Sequence, residues 1–149
     1  MILTHILFPF LATIAYGILF SVPRKALIGG GIIGMSGWLF VYLVSQYWLA
    51  HIPTVLMASF IVASVSQLVA RKLKMPSTNF SVAGIIPLVP GAMAYRTMRS
   101  FVAGDNVEGV ALAIETLLSA GAIAAGLMIS LSIFFVGKGF VSRYGAKQS

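Results

Sequence analysis

The chain has 149 residues, of which 59% are hydrophobic and 9% charged, with a net charge of +7 and no cysteine. A soluble domain carries roughly a quarter charged residues, so a mean hydropathy of +1.00 points to an integral membrane protein. Disulfides, thiolate chemistry and cysteine metal sites are excluded, and the basic excess reads as a marker of cytoplasmic loops rather than of nucleic-acid binding.

In chain order, five apolar segments stand out, at about residues 3–21, 27–45, 54–70, 79–95 and 109–136. The first three approach the ~20 residues that a spanning helix needs. Met1–Phe10 has no Lys or Arg and no clean small-residue cleavage site follows, so the first segment is expected to be kept as a span. The last segment, with 28 residues, is longer than the ~30 Å hydrocarbon layer and must tilt or protrude. The expected fold is all-α: a polytopic membrane protein of five transmembrane helices, forming one transmembrane domain over residues 1–149.

Arg24 and Lys25 follow the first segment, Arg71, Lys72 and Lys74 the third, and Lys138, Arg143 and Lys147 the fifth. With five crossings these fall on one side, with Arg96 and Arg99 near the other. The positive-inside rule then sets the N-terminus out and the C-terminus in. A re-entrant fourth segment would instead put the basic tail outside. Tyr42, Tyr47 and Trp48 flank a short outer loop, as aromatics of the headgroup belt do, and Trp38 reads as a packing residue.

The fourth segment is the unusual one. It reads Ile85-Ile86-Pro87-Leu88-Val89-Pro90-Gly91 and runs into Tyr95-Arg96. Pro87 and Pro90 each remove an amide donor and disfavour helix in the residue before them. Gly91 permits a tight turn, so the fourth helix is expected to be discontinuous at Pro-x-x-Pro-Gly. Broken backbone in lipid must be buried in protein or line a polar path. A half-helix starting at Pro90 would leave the amides of Gly91–Ala94 free for an anion or carboxylate, with Arg96 about 7–8 Å further along and Arg99 on its face at i, i+3. The competing reading is a packed proline kink with both arginines snorkelling to the interface.

Glu115 is the acid well inside an apolar run, and reads either as a proton-coupling group or ion-pair partner of Arg96, or as a hydrated interfacial carboxylate. Asp105 and Glu108 read as ordinary loop acids, the lesser alternative being a role in gathering cations or gating solutes. Gly30, Gly34 and Gly37 in the second segment, and Gly121, Ala125 and Gly126 in the fifth, form small-residue faces suited to close helix packing in lipid. Ser64, Ser66 and Gln67 read as hydrogen-bonding glue between helices or as a polar cavity lining. His5 and His51 lack partner carboxylates, so no metal or other cofactor is expected. No nucleophilic triad, phosphate loop or carboxylate pair is visible, which argues against an enzyme.

Val22-Pro23-Arg24-Lys25-Ala26-Leu27 with its following glycines and Trp38, and the Ile85–Gly91 motif with Tyr95-Arg96, resemble the threonine/serine exporter family over about residues 15–135. The chain is similar to the short subunit of the split bacterial exporters. The resemblance implies efflux of threonine and serine, or of dicarboxylates such as succinate, across a bacterial inner membrane. Single-chain members carry about twice as many spans and an N-terminal soluble region, so the resemblance also implies a larger membrane subunit as partner. On this reading Pro87, Pro90, Gly91, Arg96 and Arg99 form the substrate site for a small carboxylate solute. The alternatives are a non-transporting assembly subunit and a homo-oligomeric channel.

Overall fold

The computed structural model describes residues 2–47 and 50–145, with side chains at 3–45 and 50–136. Trp48 and Lys147, and the side chains of Tyr47, Lys138 and Arg143, lie outside the described residues. The chain forms α1 (Ile2–Leu19), α2 (Arg24–Tyr47), α3 (His51–Leu73), α4 (Thr78–Ile85), a 3-10 turn (Ile86–Leu88), α5 (Gly91–Val102) and α6 (Asn106–Gly145). Among the described residues, three helices are long and apolar enough to cross a membrane: Arg24–Ser45, His51–Leu73 and Asn106–Val136. Two shorter apolar stretches, Leu3–Leu19 and Thr78–Leu88, accompany them. The segment expected as a fourth span is therefore two helices joined by a turn, and only its first part is apolar.

Helix α2 is the centre of the bundle, packed against α1, α3 and α4. Its glycines allow this. A Cβ on Gly34 would collide with Thr13 of α1 and stand 3.3 Å from the Gly84 carbonyl oxygen of α4. Lipid tails provide no hydrophobic drive between helices, so such close backbone approach, with its dispersion gain, holds the bundle together. Contacts rise in step along α2 and α4: Gly29 meets Phe80, Gly30 meets Ala83, Gly34 meets Gly84 and Gly37 meets Leu88. The two helices thus run parallel. Phe80 is fully buried in the resulting core.

Helices α3 and α6 also run parallel. Gly126 lies where a Cβ would stand 2.7 Å from the Leu56 carbonyl oxygen and 2.9 Å from the Phe60 nitrogen. Further along, the Ser64 and Ser130 hydroxyls are 3.0 Å apart, and the Arg71 guanidinium sits 4.7 Å from the centre of the Phe134 ring. Of the small residues expected in this contact, Gly121 is not part of it. It has nothing within 4 Å, because it lies off the stripe of Ala122, Ile123, Gly126 and Ser130 that α6 buries. Ala125 is half-buried.

With this register, α6 begins about 13 residues before the level at which α3 starts, an overhang of about 20 Å. Helix α5 packs back on that overhang, with Phe101 against Gly109 and Thr97 Oγ1 3.5 Å from Thr116 Oγ1. The turn is closed by Gly104 at φ 85° and by Asp105, whose Oδ1 accepts from the Glu108 amide at 3.0 Å. Asp105 therefore caps the first turn of α6 from the loop.

Candidate functional site

Helix α4 gives way to the 3-10 turn at Ile86, where Pro87 has no amide to donate. Val89 is extended (φ −62°, ψ 129°), and Pro90 caps α5 at φ −76°, ψ 49°. Leu88 is buried 3.6 Å from the Cβ position of Gly37, which also meets Val62. Gly37 and Val62 lie near the middles of α2 and α3, so the interruption is level with the centre of the bundle. Of the amides expected to be free at the start of α5, two are engaged. Gly91 N–H donates to the Val89 carbonyl at 2.8 Å and Ala94 N–H to the Pro90 carbonyl at 3.0 Å. Ala92 and Met93 remain in the first turn, where helix amides lack intrahelical partners.

On one side of the interruption an apolar groove of about 580 Å³ is lined by Tyr16, Phe20, Val82, Ile86, Val89 and Leu127. It suits hydrocarbon rather than a charged solute. On another, Pro87 and Trp38 border a shallower groove beside His5. His5 is stacked on Tyr42 with ring centroids 4.1 Å apart, which gives the histidine a packing role.

Arg96 and Arg99 project from α5 into a polar groove of about 440 Å³ shared with Ser100, Asp105 and Glu108. Both arginines are exposed, and among the described residues neither forms an ion pair within 4 Å. Glu115 is also exposed, on the overhanging part of α6, and among the described residues the alternative of an ion pair with Arg96 is not formed. The structure thus brings Arg96 and Arg99 together, but places them and Glu115 on the projecting hairpin rather than at the depth of Pro87–Pro90.

Charge is segregated along the bundle. Arg24, Lys25, Arg71, Lys72 and Lys74 lie at the end where α2 starts and α3 finishes, and all three acids, Asp105, Glu108 and Glu115, lie towards the opposite end. A residue not singled out from sequence is Ser119. Its hydroxyl is buried with no hydrogen-bond partner among the described residues, where α6 passes from contact with α5 to contact with α3. No local signal marks it, since burial here depends on three helices meeting. Ser66, by contrast, bonds the Val62 carbonyl at 2.7 Å within its own helix, and Gln67 borders a cavity at the basic end.

A family model described as Threonine/Serine exporter, ThrE, matches residues 5–133, from α1 through most of α6. The chain is 28% identical over 105 residues to a threonine/serine exporter of Corynebacterium glutamicum, an overlap of 70% of this chain and 21% of that protein. The chain thus spans about a fifth of the length of that curated relative. No solved structure matches it. With its apolar helices and a match over nearly its whole length, the chain is a membrane protein that belongs to the threonine/serine exporter family.

Proposed function

We propose that the chain is the membrane subunit of a secondary exporter, which moves a small carboxylate-bearing metabolite out of a bacterial cell together with a larger membrane subunit. The solute is threonine or serine, or a dicarboxylate such as succinate. The observation that carries this reading is the helix interruption packed against the middles of α2 and α3. Discontinuous helices at that depth are how transporters present half-helix ends to a solute.

In this reading Pro87, Pro90 and Gly91 shape a discontinuous fourth span. The amides of Ala92 and Met93 and the hydroxyl of Ser119 supply hydrogen bonds, and Arg96 supplies the countercharge to the carboxylate. Arg99 extends that positive path outwards, and Glu115 is the coupling carboxylate. The basic end of the bundle faces the cytoplasm, giving N-terminus out and C-terminus in across the inner membrane. Helix α5 buries no residue, and Tyr95, Met98 and Val102 make an exposed apolar stripe upon it. That stripe supports docking against a larger subunit.

One observation favours a second reading. Arg96 and Arg99 are exposed without ion-pair partners, which suits a non-transporting subunit whose arginines dock on acidic groups of the larger protein. Efflux of labelled succinate and threonine from a strain lacking both subunits separates the two. Flux that needs both chains and is lost in Arg96→Ala at matched abundance and matched assembly supports the solute site. Undiminished flux in that variant assigns the chain to assembly.

A further inference from the structure

At the basic end, outside the region just described, α3, the α3–α4 turn and α6 enclose a cavity of about 370 Å³. Its floor is polar and cationic, with Gln67, Arg71, Lys74 and Ser77, and its outer wall is Leu131, Phe134 and Phe135. Phe135 is 73% exposed, so this wall opens on the outside of the bundle. The Arg71 guanidinium is held 4.7 Å over the Phe134 ring, which fixes the cation while leaving its in-plane donors available. No acid lies at this end of the molecule, because all three are on or near the α5–α6 hairpin. Among the described residues, neither Arg71 nor Lys74 forms an ion pair.

The backbone adds an independent observation. Lys74 ends α3 at φ 54°, ψ 41°, a left-handed conformation that glycine takes without strain. The chain nonetheless has a lysine here, and Lys74 is among the residues that line the cavity.

From this juxtaposition of a guanidinium held over an aromatic ring, a second cationic residue lining the same cavity and an exposed apolar wall, we propose that the cavity binds the phosphate headgroup of an anionic membrane phospholipid. The phosphodiester lies against Arg71 and Lys74, with its acyl chains along Phe134 and Phe135. A free phosphate would satisfy the same cations but would have no use for the aromatic wall. Basic pockets between helices at the cytoplasmic face are suited to such headgroups. The inference needs only that the chain lies in a membrane, and stands whether or not it transports.

The test uses the full chain purified in a neutral detergent and titrated separately with phosphatidylglycerol, phosphatidylcholine, glycerol phosphate and inorganic phosphate. Bound lipid is read by intact-complex mass spectrometry and thermal stability in parallel. Phosphatidylglycerol is expected to bind in preference to phosphatidylcholine. Arg71→Gln and Lys74→Gly are each expected to weaken it about five-fold, the equivalent of about 1 kcal/mol per cation near a headgroup. Lys74→Gly also relieves the left-handed strain, so its loss of lipid comes without loss of fold. Lys72→Gln, which removes the same charge outside the cavity, is expected to bind as the parent does. Equal retention in all three variants overturns the site. Saturation by inorganic phosphate or glycerol phosphate as readily as by phosphatidylglycerol overturns the lipid assignment and makes the cavity a soluble-anion site.

Discussion

Ser64 and Ser130 share a hydrogen bond of 3.0 Å between hydroxyls 66 positions apart in sequence, within the contact of the parallel α3–α6 pair. Such bonds in membranes are worth about 0.6 kcal/mol, because the separated helices find other partners. A double-mutant cycle of Ser64→Ala and Ser130→Ala, read by unfolding in mixed micelles, should return a coupling of about that size. A coupling indistinguishable from zero would mean that the hydroxyls do not meet.

Gly126 and Gly121 are expected to respond oppositely to the same change. At Gly126 a methyl would collide with Ser59 and the Leu56 carbonyl, so Gly126→Ala should destabilise the fold by about 1–3 kcal/mol. At Gly121 nothing lies within 4 Å, and the better helix propensity of alanine should leave stability equal or raised by up to about 1 kcal/mol. Thermal unfolding of the two variants in one detergent tests both signs.

The α5–α6 turn depends on Gly104 at φ 85° and on the Asp105 cap. Gly104→Ala should cost about 1 kcal/mol, and Asp105→Ala about 1 kcal/mol through the lost cap. Amide hydrogen exchange should speed up at 106–109 while α2 and α3 stay protected. Equal speeding throughout would show that the hairpin and bundle unfold together.

If the exposed stripe of α5 docks on a larger subunit, Tyr95→Ser with Met98→Ser should reduce co-purification by ten-fold or more, about 1.4 kcal/mol of binding. The stripe is 69% and 68% exposed at these residues, so the fold of the isolated chain should not change. Unaltered recovery of the partner would move the interface elsewhere.

Proton coupling through Glu115 makes a separate expectation. Glu115→Gln should abolish the response of efflux to collapse of the proton gradient while sparing solute exchange at equilibrium. Efflux that keeps its gradient dependence in the variant removes Glu115 from the coupling step.

Some of this protein was decided locally, and those parts were legible in the sequence. Lipid solubility is a property of composition, so long apolar runs are enough to identify a membrane protein. Proline acts through its own missing amide and its neighbour's backbone, and the helix between Thr78 and Val102 is interrupted over Ile86–Pro90. Asp105, read from sequence as a loop acid, caps α6 by accepting from the Glu108 amide in the first turn, again a local contact. The tertiary structure decided whatever depends on register between helices far apart in sequence. Gly121 and Gly126 are equivalent as letters, but only the relative rotation and slide of α3 and α6 put Gly126 at the contact. The same register carries the start of α6 past α3, so Arg96, Arg99 and Glu115 stand on a projecting hairpin rather than at the depth of the proline turn. It also brings Arg71 over Phe134 and leaves the Ser119 hydroxyl buried without a partner. Periodicity along a single helix contains no information on any of these, because each is a distance between two helices.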